Sequence, residues 1–298
     1  MQDQDLFLGI DVGGTKVHAL LADGTGRIIA EARAPTATQG GDALIAQLYE
    51  MRDGLCRKAG ITAPKASGLG LPAAVDPATL TLSAIPNIDN MAGSAFAPAL
   101  MRAFGGPVAI ENDVNCAALA EAWAGRSRVD PLAFIAIGTG IGMGLVVNGQ
   151  LLRGAKGLAG EIAFLPLGAD ATDPLLRQSG TFESRLGGDG WRQGYLALGG
   201  TGPVNLPALF AYPDVPFRAL IDQQADLLAQ AILTVQAVIA PQAVVLGGSI
   251  GAQAPLLAAL QARLPDYLPQ ELALSRSELA ESAGALGAAR AAMIAPRA

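Results

Sequence analysis

Leu6-Phe7-Leu8-Gly9-Ile10-Asp11-Val12-Gly13-Gly14-Thr15-Lys16-Val17-His18-Ala19-Leu20-Leu21-Ala22 is the stretch whose reading decides the fold. Residues 6–10 read as a buried strand, 11–15 as a glycine turn and 16–22 as a second strand. Asp23-Gly24-Thr25-Gly26 is a hairpin signal into a third strand over 27–32, which completes an antiparallel meander. After Gly125 the plan begins again: a strand over 132–137, the glycine turn Gly138-Thr139-Gly140-Ile141-Gly142, a strand over 144–147, and a turn at Asn148-Gly149 before a third short strand. A unit used twice points to internal duplication of one α/β domain, with the seam between Asp113 and Asp130.

Between the two copies the pattern alternates as an α/β protein should. Apolar residues Leu44, Ile45, Leu48, Met51 and Leu55 predict a helix over 41–59; strands at 66–71 and 107–110 alternate with helices over 93–104 and 115–124. The second copy departs into a Gly-rich polar stretch to about residue 202. A long helix ending near Ala240, a strand over 243–246, a helix over 254–263 and a last helix from about 284 follow. The expected domains are 1–113, with the C-terminal helix (about 284–298) as a candidate to complete it, and 114–283.

With 26 acidic residues against 20 basic ones in 298, the net charge of −6 argues against a nucleic-acid partner held by phosphate neutralisation. The apolar share of 51% raises a membrane reading. Yet the two long charge-free stretches, 131–152 and 227–262, are broken by glycines, Pro241 and Gly247-Gly248, and read as buried core. The start of the chain lacks the basic and apolar regions of a secretory signal, and Cys56 and Cys116 form no CxxC pair. A reducing cytoplasm is the default expectation.

Several motifs tempt and fail. Gly9-x-x-x-x-Gly14 has P-loop spacing, but Thr15-Lys16 reverses its ending and a strand follows where a helix is needed. Gly68-x-Gly70-x-x-Ala73 runs into Pro72 and Pro77, so no dinucleotide-binding helix opens there, and a structural turn is the better reading. Gly247-Gly248-Ser249-Ile250-Gly251 matches a nucleophile elbow, but the single histidine, His18, lies upstream of the serine. That loop reads either as a plain turn or as a glycine pair that lets a flat ligand such as adenine approach the backbone. His18 alternates with apolar neighbours and reads as a packing or surface residue. Asn112 and Asp113 stand where ligands gather, beyond the carboxyl end of a strand, although Asp113 taken singly reads slightly better as the cap of the next helix. Taken singly, Glu161 and Glu183 read as solvated surface.

As a set, Asp11-Val12-Gly13-Gly14-Thr15-Lys16, Glu111-Asn112-Asp113-Val114-Asn115-Cys116-Ala117-Ala118, Gly138-Thr139-Gly140-Ile141-Gly142, Gly154-Ala155-Lys156-Gly157-Leu158-Ala159-Gly160-Glu161-Ile162, Val244-Val245-Leu246-Gly247-Gly248-Ser249 and Ala283-Gly284-Ala285-Leu286-Gly287 resemble the ROK family (repressor, open reading frame, kinase), in order and over nearly the whole chain. The resemblance implies the actin-like ATPase fold, two similar ribonuclease H-like α/β domains around a central cleft, and ATP-dependent phosphorylation of a hexose. It implies that Asp11, Gly13, Gly14, Thr15 and Lys16 form a first phosphate hairpin, with Asp11 holding Mg²⁺ through water. By the same resemblance Gly138, Thr139 and Gly140 form a second hairpin, and Gly247, Gly248 and Ser249 flank the adenosine. Asp113 corresponds to the general base; Asn87, Asn112, Glu161 and Glu183 correspond to residues that hold sugar hydroxyls. A homodimer is also implied.

Two features depart from the family pattern. Phe164 stands where the family commonly has a histidine, and residues 168–182 lack the cysteines of its zinc cluster, so no structural zinc is expected. Glucose heads the expected acceptors, with fructose, mannose and N-acetylhexosamines beside it. Two rival expectations remain: a sugar-binding sensor without turnover, and an ATPase that activates a partner enzyme.

Overall fold

In the computed structural model, the described residues are 5–83, 88–125, 128–268 and 270–295. β1 (Leu6–Val12), β2 (Lys16–Asp23) and β3 (Ile28–Pro35) form the first meander, followed by α1 (Gly41–Ala59) and β4 (Ala66–Leu71). The short β5 (Ala74–Val75) and β6 (Leu82–Ser83) precede α2 (Phe96–Phe104), β7 (Val108–Asn112) and α3 (Asp113–Ala124). The second meander is β8 (Leu132–Ile137), β9 (Ile141–Val147) and β10 (Gln150–Leu151). Next come α4 (Leu176–Ser179), α5 (Glu183–Leu186), α6 (Gly188–Ala197), α7 (Leu206–Ala211) and the long α8 (Val215–Ile239). β11 (Ala243–Gly247), α9 (Gly248–Gly251), α10 (Ala254–Tyr267), β12 (Ala273–Arg276) and α11 (Ala283–Ile294) follow.

Two five-stranded sheets result, β3-β2-β1-β4-β7 and β10-β9-β8-β11-β12. Each places its first strand third in the row, between a meander partner and a crossover strand. In the first sheet β1 pairs antiparallel with β2 and parallel with β4, and β4 pairs parallel with β7. In the second, β11 pairs parallel with both β8 and β12. The duplication read from the glycine turns is thus a duplication of sheet topology.

The chain divides into two compact units: Met1–Arg128 with Gly144–Ala159 and Leu279–Ala298, and Val129–Met143 with Gly160–Glu278. The first unit runs past residue 113 because α3 packs on α11, and it takes in residue 144 because the Gly144 backbone lies against Val114 and Ala118 of α3.

Within the first unit, eight of the twelve residues of α11 are Ala or Gly, and its residues 283–289 are all buried. Small side chains let its backbone touch the sheet directly. A Cβ added at Gly9 would lie 1.8 Å from the Ala285 carbonyl oxygen, one at Gly68 1.7 Å from that of Ala288, and one on Gly287 of the helix 1.6 Å from that of Cys116 in α3. Gly68 and Gly70 lie inside β4, as the strand reading of 66–71 has them, and the competing reading of the Gly68–Ala73 motif as a turn is corrected at these two glycines. No turn signal separates a glycine needed for close approach from one needed for a bend. A second cluster, Leu8, Ile10, Leu44, Leu48, Leu69, Leu100 and their neighbours, forms the core of this unit.

His18 is buried, with Nε2 2.8 Å from a Glu31 carboxylate oxygen and Nδ1 3.2 Å from the Glu281 carbonyl. It is a packing residue of the sheet. The second unit differs from the sequence reading in several places: β12 is an additional edge strand, the stretch before residue 202 carries α4, α5 and α6, and Gly248–Gly251, read as a loop, is the short helix α9 because the residues after Gly247 turn helically at once. No helix of the described residues is long and apolar enough to cross a membrane.

The helix-on-glycine contact generates a sharp stability test. Gly68→Ala forces Ala288 and its helix to move and should lower the urea-unfolding free energy by about 2–4 kcal/mol, at the upper end of overpacking costs. Gly106→Ala, where an added Cβ meets nothing within 4 Å, should change it by less than about 1 kcal/mol. Equal urea midpoints for the two variants would refute the contact.

Candidate functional site

In the first unit the site begins where β1 ends. Asp11 is opposite His18 of β2 and Gly70 of β4. The following turn is closed by Gly13 N–H donating to the Lys16 carbonyl at 2.9 Å. Thr36, just beyond β3, shapes the turn from the side: its hydroxyl donates to the Gly13 carbonyl at 2.7 Å and its N–H to that of Thr15 at 3.1 Å. Nothing in the local sequence marks Thr36, because its partners lie across two strand pairings. Lys16 is drawn to Glu281, 2.7 Å away, and this ion pair holds the Glu281 carboxyl below the usual range.

The Asp11 carboxyl lies over the first turn of α11, where a Cβ on Gly284 would sit 2.5 Å from it. Burial, then the charge of Asp113, push its pKa up to about 7, with Lys16 opposing. Gly70 brings Asp113 in: a Cβ there would stand 3.4 Å from the Asp113 Cα. Two carboxylates thus crowd one place at the carboxyl ends of the strands.

Asp113 is the first residue of α3, and the cap is its neighbour. Asn112 Oδ1 accepts the Asn115 N–H at 3.0 Å, while its amide nitrogen donates to the Ala73 carbonyl at 3.2 Å. The alternative reading of Asp113 as the helix cap is therefore corrected: Asn112 stands at the cap position with extended backbone and takes the Asn115 N–H, while Asp113 Oδ1, already within the helix, accepts the Val114 N–H at 2.8 Å. Behind both sits Glu111, a buried carboxylate that accepts from Arg153 Nε at 2.6 Å, from the Asn115 amide at 3.0 Å and from the Asn112 N–H at 3.0 Å. Arg153 immediately precedes the Gly154 motif, and adjacency to that motif is the one sequence signal that could have found it. Asn87 lies outside the described residues.

In the second unit, the turn after β8 and the junction at which β11 runs straight into α9 lie side by side. Gly247 lies on the Phe134 ring, Gly248 adopts φ +79° against the Ile137 backbone, and the Ser249 hydroxyl is 3.5 Å from where a Gly138 Cβ would be. A cavity of about 400 Å³ opens there, lined by Gly138, Thr139, Gly188, Arg192, Asn205, Phe210 and Ser249 among others. Phe210 is anchored by Trp191 and Phe217, with ring centroids 5.1 and 5.0 Å away. A few polar groups on an aromatic-backed wall of this size suit a nucleoside. The sequence singled out the glycines and Ser249 but missed Arg192, Asn205 and Phe210, which reach the cavity only through the packing of α6 and α7.

Glu161 and Glu183 also belong to this unit. Burial raises both carboxyls; the Glu183 charge raises Glu161 further, and a bond from the Ile141 N–H opposes the rise at Glu183. Glu183 is half-buried and tied to the Ile141 N–H, which corrects its surface reading, whereas Glu161 remains exposed as that reading has it. The cysteine-free segment before Glu183 is fastened by the Phe182 N–H donating to the Ala163 carbonyl at 2.9 Å and by the fully buried Phe182 ring. Gln224 of α8 donates to the Arg185 carbonyl at 3.0 Å and holds α5 from behind. Phe164 is exposed. Among the described residues, no three His, Cys, Asp or Glu side chains gather as a metal cluster.

The model of the ROK family matches residues 7–294. An N-acetyl-D-glucosamine kinase of Salmonella arizonae is 30% identical over 302 residues, covering 97% of this chain and 99% of that one. Among solved structures, a ROK hexokinase of Thermus thermophilus is similar at a TM-score of 0.83 and 30% identity, over 97% of this chain and 98% of that one. A ROK family glucokinase of Streptomyces griseus, solved with glucose and AMPPNP, shares the fold at a TM-score of 0.79 and 23% identity, over 97% and 100% of the two chains. The two sheet-containing units are those of the actin-like ATPase fold. With its motifs, its topology and a match over nearly its full length in agreement, the chain belongs to the ROK family.

Proposed function

We propose that this protein is an ATP-dependent sugar kinase that transfers the γ-phosphate to a hydroxyl of a hexose or N-acetylhexosamine, with Asp113 as general base. The observation that carries the reading is the crowding of Asp113 and Asp11, two carboxylates brought together through Gly70 and Gly284 at strand ends. Such a pair costs stability, and perturbed carboxylates of this kind cluster at functional sites, which supports the reading.

In this reading Asp113 takes the proton of the acceptor hydroxyl as its oxygen bonds to the γ-phosphorus. The bond from that phosphorus to the bridging oxygen breaks, and ADP leaves with the electron pair. Asn112 caps α3 and so fixes Asp113 at its first turn, while Glu111 and Arg153 hold Asn112 from behind. Asn112 keeps a second amide hydrogen for a sugar hydroxyl, and Asn87, Glu161 and Glu183 are the further proposed sugar ligands. The Asp11–Lys16 and Gly138–Gly140 turns offer backbone N–H donors to phosphate oxygens, and Gly247, Gly248 and Ser249 border the cavity suited to adenosine.

Magnesium fits the donors present. Asp11 is a hard oxygen ligand, and the neighbouring charge of Asp113 favours a cation beside it. Asp11 would hold the ion through water, and the ion would neutralise phosphate charge. N-acetylglucosamine joins glucose at the head of the acceptor panel, in keeping with the relatives' names.

Coupled ADP release over a panel of hexoses and N-acetylhexosamines tests the reading. Sugar-dependent release is expected, and Asp113→Asn should lose about 10²–10⁴ in turnover with an unchanged melting curve. Parental turnover in that variant, or ADP release independent of every sugar, would sink it. For Asp11 the sign follows from its raised pKa: between pH 3.8 and about 7 the folded chain keeps a proton that the unfolded chain has lost, so stability falls as pH rises through that window. Asp11→Asn should therefore be more stable than the parent at pH 8, by at most about 4 kcal/mol of unfolding free energy, and match it near pH 4. A variant less stable at pH 8 would contradict the buried-charge account.

A further inference from the structure

The Gly138–Ile141 turn has a partner that its own sequence does not announce. Glu183, the first residue of α5, accepts the Ile141 N–H with Oε2 at 2.9 Å, and a Cβ added at Gly140 would lie 2.5 Å from the same oxygen. The carboxylate therefore lies flat against the tip of the turn. The backbone beyond it adds a second tie, the Gly188 N–H donating to the Thr139 carbonyl at 3.0 Å. Within the turn, the Gly138 N–H is taken by the Gly140 carbonyl at 2.9 Å. The N–H groups of Thr139 and Gly140 are left for an incoming anion.

We propose that Glu183 is the positioning residue of the second phosphate turn: by holding the Ile141 N–H it fixes the direction in which Thr139 and Gly140 present theirs to a nucleotide. This rests on the kinase reading above and adds to it, because it gives Glu183 a task that exists before any sugar binds. The task belongs to the hydrogen bond and not to the negative charge. A charge beside phosphate opposes binding, and burial already works against it by raising the Glu183 carboxyl.

The charge and the bond can be separated. Glu183→Gln keeps an amide oxygen to accept the Ile141 N–H and drops the charge, whereas Glu183→Ala drops both. Calorimetric titration of the full chain with Mg-AMPPNP, with no sugar present, reads the effect directly. Glu183→Ala should weaken nucleotide binding on the order of tenfold, the scale of one charge-assisted hydrogen bond. Glu183→Gln should bind within about threefold of the parent or more tightly. A residue serving only the sugar would leave the sugar-free titration unmoved in both variants, so parental affinity in Glu183→Ala overturns the proposal alone. Glu183→Gln as weak as Glu183→Ala, with both melting as the parent does, overturns it too. A parent that binds no nucleotide overturns the kinase reading together with it.

Discussion

The contact on which the first unit depends is the seating of α11 on β1, β4 and α3 with backbone against backbone. Side chains normally keep a helix about 10 Å from a sheet. Here Gly9, Gly68 and Gly287 have none, and the Ala and Gly residues of α11 complete the approach. One consequence is that the start of the helix reaches the end of β1, so that Gly284 meets Asp11 and Glu281 meets Lys16. A core packed with larger residues would bury more apolar surface but would push the helix start away from the acidic centre.

Electrostatics runs against stability at that centre. Asp11 and Asp113 share one region, and the first is raised to about 7 chiefly by burial and then by the second. Glu161 and Glu183 repeat the theme in the second unit. By contrast, Glu111 is buried but well met, since Arg153, Asn115 and the Asn112 N–H all donate to it. Under-compensated carboxylates mark candidate functional groups, whereas Glu111, met by three donors, holds the local frame.

The second unit solves its own version of the close-approach problem. Gly247 on the Phe134 ring and Gly248 on the Ile137 backbone bring the β11–α9 junction against β8, beside Gly138. The cavity that opens there owes its wall to α6 and α7, with Phe210 backed by Trp191 and Phe217. The segment before Glu183 is fastened by the buried Phe182 ring, its N–H bond to Ala163 and the Gln224 tie from α8.

Periodicity and turn chemistry by themselves determined the double meander, the helix Gly41–Ala59 and the strands Ala66–Leu71 and Leu132–Ile137, because each of these signals is local. The family motifs carried the candidate residues for the same reason: Asp11, Asp113 and the glycine turns lie in short contiguous runs. Only the tertiary structure decided that Asn112 and not Asp113 caps α3, that Gly68 marks a helix crossing and not a turn, and that Thr36, Arg153 and Glu183 brace the sites. Each of those depends on partners from other elements of the chain or on backbone approach. Glu183 and Ile141, for example, are 42 residues apart in the chain. No local pattern encodes such distances; they are set by how strands pair and helices pack.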